Sequence, residues 1–93
     1  MIAATLAAPT LDSLPVHALA VVAAIDWPRL SEPEGRRLRE LGFDQGVSVE
    51  VLHRAPFGRG PIACRIGRMT IALRRSVAAA VGVDPQAYAQ AAE

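Results

Sequence analysis

The stretch Leu38-Arg39-Glu40-Leu41-Gly42-Phe43-Asp44-Gln45-Gly46-Val47-Ser48-Val49-Glu50-Val51 changes period in its middle. Leu38 and Leu41 stand three apart and share one face of a helix. Gly42 is a helix stop, because glycine enters the left-handed region at little steric cost. From Val47 the period becomes two, with Val47, Val49 and Val51 on one side and Ser48 and Glu50 on the other. A helix therefore closes on glycine and leads, through a second glycine turn, into a half-buried strand. This order places a helix against the edge of a small sheet, an arrangement suited to binding rather than to catalysis.

Upstream, Leu19 to Ile25 reads as a continuous buried strand closed by Asp26-Trp27-Pro28. Ser31-Glu32-Pro33-Glu34 then opens the helix: Ser31 caps, Glu34 completes a capping box, and Pro33 sits where an amide has no helical partner. Downstream, the strand from Val47 reaches His53 or Arg54, and Ala55 to Pro61 is a connecting loop stiffened by proline and glycine. Ile62, Cys64 and Ile66 alternate along another strand, Gly67-Arg68 turns, and Met69, Ile71 and Leu73 line the next. Arg74-Arg75-Ser76 breaks the pattern; Val77 to Val83 offers a helical turn and a last strand. The fold class is mainly β: a small, strongly bent barrel with one short α-helix after the first strand. Closing the barrel removes the exposed edges. The expected core is Leu41, Val49, Val51, Ile62, Ile71 and Leu73. The domain spans 11–84, preceded by a flexible extension 1–10 and followed by a tail 85–93.

Ninety-three residues make one domain with one modest core. Ten basic residues, all Arg, face nine acidic ones for a net charge of +1, so charge gives little support to nucleic-acid binding. A lone cysteine excludes an internal disulfide and points to the cytoplasm. The segment Met1 to Ala8 lacks the basic start of a secretory signal. Leu14 to Ile25 is only about half the roughly 20 residues that span a bilayer. No nucleophile with a base, no paired carboxylates and no phosphate loop appear, so no enzyme is expected.

Several residues are candidates for function. Cys64 and His53 are soft ligand types; pairing across the loop sets Val51 opposite Cys64 and His53 opposite Ile62, with Cys64 turned inward as a small hydrophobe and His53 at the rim. They are weak metal candidates, and no metal site is assigned, since two such ligands without a carboxylate do not make a convincing site. Arg36, Arg37 and Arg39 mark the outer helix surface, and Arg74 and Arg75 follow the fourth strand. Their guanidinium groups either face solvent or offer bidentate contacts to carboxylate or phosphate on a partner. Phe57, with Arg59 beside it in the Pro/Gly loop, either plugs the barrel mouth or anchors an interface.

The blocks R-R-L-R-E-L-G-F-D-Q-G-V-S-V-E-V-L (Arg36 to Leu52), A-P-F-G-R-G-P-I (Ala55 to Ile62) and R-I-G-R-M-T-I-A-L-R-R (Arg65 to Arg75) stand in fixed order. Together they make the segment from Leu14 to Val83 resemble the ferrous iron transport protein A (FeoA) family. The resemblance implies an SH3-like barrel and a cytosolic, non-enzymatic partner of the ferrous iron permease FeoB, acting at its GTPase domain or on its assembly. It implies membrane contact only through the permease, no nucleic acid, no required cofactor, and an association with transition metal no closer than weak binding. Because the Leu73-Arg74 pair recurs in the family, Arg74 is the first choice for partner binding, with Phe57, Arg59, Arg36 and Arg39. Family members place a glycine just before the first strand, where this chain has His17-Ala18. The alternative is a free-standing metal-responsive domain like the C-terminal barrel of iron-dependent repressors, although this chain has no helix-turn-helix with which to read DNA. A small RNA-binding barrel is a third reading, disfavoured by the near-neutral charge.

Overall fold

The computed structural model describes residues 9–55 and 60–85. The strands are β1 (Leu19–Ile25), β2 (Ser48–Arg54), β3 (Ile62–Ile66), β4 (Met69–Leu73) and β5 (Val81–Asp84). Helix α1 (Glu32–Leu41) lies between β1 and β2, and the short α2 (Arg75–Ala78) between β4 and β5. All pairings are antiparallel, in the order β4-β3-β2-β1-β5. This is the expected mainly β architecture with one longer helix after the first strand.

Helix α1 forms for the reasons its ends announce. The Glu34 amide donates to Ser31 Oγ at 3.2 Å, and the Ser31 amide donates to Glu34 Oε1 at 3.0 Å. At the other end Gly42 is left-handed (φ 93°), and the Phe43 amide donates to the Leu38 carbonyl at 3.0 Å. Those carbonyls would otherwise lack partners, and a side chain at Gly42 would oppose the conformation that supplies them.

The core departs from expectation in detail. Val49, Val51, Ile62 and Leu73 are buried, but Leu41 and Ile71 only pack partly against the cluster; Leu38 and Phe43 fill the helix-side positions instead. Strand β1 is one-sided rather than buried throughout: Ala20 and Val22 are inside, while Leu19 is 40% exposed and Ala24 is exposed. A sheet with one wet face needs only alternate side chains inside. Along β4 burial falls toward the Gly67-Arg68 turn, from buried Leu73 through Ile71 to Met69 at 43% exposed.

The register also differs at one point. Val51 faces Cys64 as expected, but the ladder slips before His53, which pairs with Ala63 and leaves Arg54 opposite Ile62. Leu52 is the extra residue of a β-bulge, and a bulge reverses the side to which later side chains point. His53 is therefore exposed, and Arg54 turns inward to donate to the Leu14 and Asp12 carbonyls.

Strand pairing does not close the barrel, since β4 and β5 are the two end strands of the sheet. The outer edge of β5 is occupied instead by the segment before β1: Val83 donates to the Pro9 carbonyl at 3.0 Å and Thr10 bridges Gly82. A 3-10 turn at Leu11–Ser13 follows and drops Leu11 and Leu14 into the core. Just before β1, His17 is left-handed (φ 71°), a backbone region that glycine enters more easily than histidine.

Candidate functional site

The three arginines of α1 point in different directions. Successive helix positions are rotated by about 100°. With Leu38 turned into the core, Arg37 lies on one side of it and Arg39 on the other, while Arg36 points to solvent. The Arg39 guanidinium lies over the Trp27 ring, 4.3 Å from its centroid. That cation–π contact uses one face of the guanidinium and covers an indole that is otherwise half-exposed.

Arg37 belongs to a different neighbourhood. The first turns of α1, the end of β4 and the start of α2 enclose an open cleft of about 420 Å³. Leu38, Leu73 and Val77 form its floor, Pro33 and Ala72 its walls, and Ser31, Glu34, Arg37 and Arg74 its polar rim. Glu34 is engaged by the Ser31 amide. Arg37 and Arg74 are exposed and have no hydrogen-bond or ion-pair partner among the described residues. The backbone at Arg74 is occupied, since its carbonyl accepts from Val77 and Ala78 as α2 begins, but its side chain is free to reach outward.

Arg74 also flanks a second depression with Arg75, Gly60 and Pro61. This sets it beside the described end of the Ala55–Pro61 loop. Phe57 and Arg59, proposed from sequence as partner contacts, lie outside the described residues. Arg36 and Arg39, chosen with Arg74 from the sequence, do not line its cleft; Arg37, which that choice left out, does. Helical angle alone distinguishes these arginines, once Leu38 rather than Leu41 is known to be the deepest residue.

The soft ligands do not converge. Cys64 is fully buried, and burial pushes its thiol up to about 11, so it is a neutral core group. His53 is exposed and pairs with Ala63, the outward-facing neighbour of Cys64, so the two side chains leave opposite faces of the sheet. Among the described residues no three His, Cys, Asp or Glu side chains gather as a metal would require. On the wet face, Arg65 donates to Glu50 at 3.0 Å, and His17 Nδ1 stands 3.9 Å from the same carboxylate. No helix among the described residues is long and apolar enough to cross a membrane.

A family model described as the FeoA domain matches residues 10–85. The zinc-complexed FeoA of Stenotrophomonas maltophilia, an SH3 domain protein suggested to act as a bacterial ferrous iron transport activating factor, shares 39% identity. That match has a TM-score of 0.74 and covers 85% of this chain and 93% of the other. The FeoA protein of Chlorobium tepidum shares 29% identity at a TM-score of 0.71, over 82% of this chain and 69% of that one. A manganese-dependent transcriptional repressor in complex with manganese superposes at a TM-score of 0.73, but at 24% identity and over 37% of its own length, which is a likeness of fold. No curated protein matches the chain significantly.

Proposed function

From the premise that this chain belongs to the FeoA family, we propose that it is a cytoplasmic, non-enzymatic accessory factor of bacterial ferrous iron uptake. It docks on the cytosolic GTPase domain of the ferrous iron permease, FeoB, and adjusts that protein's nucleotide turnover or assembly. The observation that carries the reading is the match to S. maltophilia FeoA, which runs through nearly all of that protein at 39% identity. Arg37 and Arg74, which have no partner among the described residues, support a docking role, because a guanidinium without an internal carboxylate is ready to meet one on another surface. Arg74 is the centre of the proposed contact, with Arg37 beside one depression and Gly60 and Pro61 beside the other, and Phe57 and Arg59 are proposed as further contacts. Arg36 and Arg39 would contribute from the outer helix surface. No cofactor enters the mechanism, and transition metal would bind this chain weakly at most.

The test is capture of the permease from detergent-solubilised membranes by the purified chain, together with ferrous iron uptake in a strain lacking the protein. Capture and restored uptake are expected. A chain that restores uptake without ever associating with the permease would remove docking from the mechanism.

A further inference from the structure

We propose that the cleft between α1 and the β4–α2 corner receives a short segment of a partner protein in which an aliphatic side chain is flanked by carboxylates. This deepens the docking reading above, and rests on it, by stating what the partner must present.

The cleft offers two unlike surfaces at once. Its floor of Leu38, Leu73 and Val77, with Pro33 and Ala72 beside it, gains by covering with an apolar group. Its open volume of about 420 Å³ leaves room for a side chain on that floor. The charged groups in the lining are Glu34, Arg37 and Arg74. Glu34 is held by the Ser31 amide, which leaves two guanidinium groups without partners among the described residues. Carboxylates answer that charge in bidentate geometry, and an aliphatic side chain between them answers the floor. A free phosphate meets the arginines but leaves the apolar floor wet. A cationic segment is repelled. The cleft lies across α1 from the Trp27–Arg39 contact and away from the Glu50–Arg65 pair, so its charge is not shared with either.

The probe is a capped peptide of leucine with two glutamates on each side, titrated into the isotopically labelled full chain and followed by amide chemical shifts. Shifts are expected at residues 31–38 and 72–77. Arg37→Gln and Arg74→Gln should each weaken binding about tenfold, and the double variant should abolish it. Both substitutions should leave the melting temperature unchanged, because neither side chain has a partner to lose among the described residues. Replacing the peptide's glutamates by glutamine should weaken binding as much as the double variant does.

Unchanged affinity in the double variant overturns the proposal, as do shifts confined to the Glu50–Arg65 face. Concentration-dependent dimerisation that the double variant abolishes also overturns it, by naming a second copy of this chain as the occupant. Loss of peptide binding with full retention of permease capture overturns the cleft and leaves permease docking standing. Peptide binding with no permease capture by any form does the reverse.

Discussion

His17 shows how one residue can be tolerated rather than chosen. Its φ of 71° belongs to the left-handed region, which histidine enters more readily than branched residues but less readily than glycine. Its amide is spent on the Val51 carbonyl at 2.6 Å, so the backbone is held there whatever the side chain. His17→Val should cost about 1–2 kcal/mol although the side chain is exposed, while His17→Gly should be neutral or stabilising by up to about 1 kcal/mol. Urea melts of the two variants check this, and equal losses in both would remove the backbone explanation. Cys64 offers a pH test at the same scale. Its thiol is raised by burial from 9.0 to about 11, so the folded chain holds the proton longer than the unfolded one. The associated stability is fully present below pH 9 and falls as pH rises through the window from about 9 to 11, by roughly 2–3 kcal/mol in all. Cys64→Ala should flatten that part of the stability curve. A parent and variant that lose stability in parallel would show that other groups titrate there.

Among the elements, α1 and β2 are the informative pair. Both helix ends were legible because their signals are local: a serine and glutamate three apart, and a glycine after the last apolar residue. Which leucine lies deepest was not legible, since Leu38 and Leu41 share a face and only the sheet beneath decides between them. Leu38→Ala should cost about 2–5 kcal/mol and Leu41→Ala distinctly less, because the first leaves a cavity at a fully buried site and the second trims a half-exposed one. Thermal melts giving equal losses would contradict the burial order. In β2 the bulge at Leu52 carries a larger consequence. Continued alternation would have sent His53 inward and Arg54 outward; the extra residue does the opposite. Nothing in the alternation of Val47, Val49 and Val51 marks the slip, because the bulge answers to the strand across from it.

At the scale of the whole molecule, the segment before β1 covers one of the two sheet edges that strand pairing leaves open. Pro9 and Thr10 bond the outer edge of β5, Leu11 and Leu14 enter the core, and Arg54 holds the Asp12 and Leu14 carbonyls from the far end of β2. Two buried leucines contribute about 1.5–3 kcal/mol each, a large share of the roughly 5–15 kcal/mol that holds a domain together. A chain beginning at Pro15 should therefore melt at least about 12 °C lower, or lose its cooperative transition. A truncated chain that melts within a few degrees of the parent would reduce this segment to an appendage.

The order of elements, the helix caps, the turn at Gly67-Arg68 and the inward face of β3 were all determined by neighbouring residues, and each depends on interactions within a few positions of the chain. The slip at Leu52, the left-handed His17, the burial of Leu11 and Leu14, and the placing of Arg37 and Arg74 on one cleft were decided only when distant segments packed. Capping and alternation are short-range and repeat visibly in sequence. Edge covering and the sharing of a cleft join residues far apart along the chain, and their energies exist only once the barrel has curled.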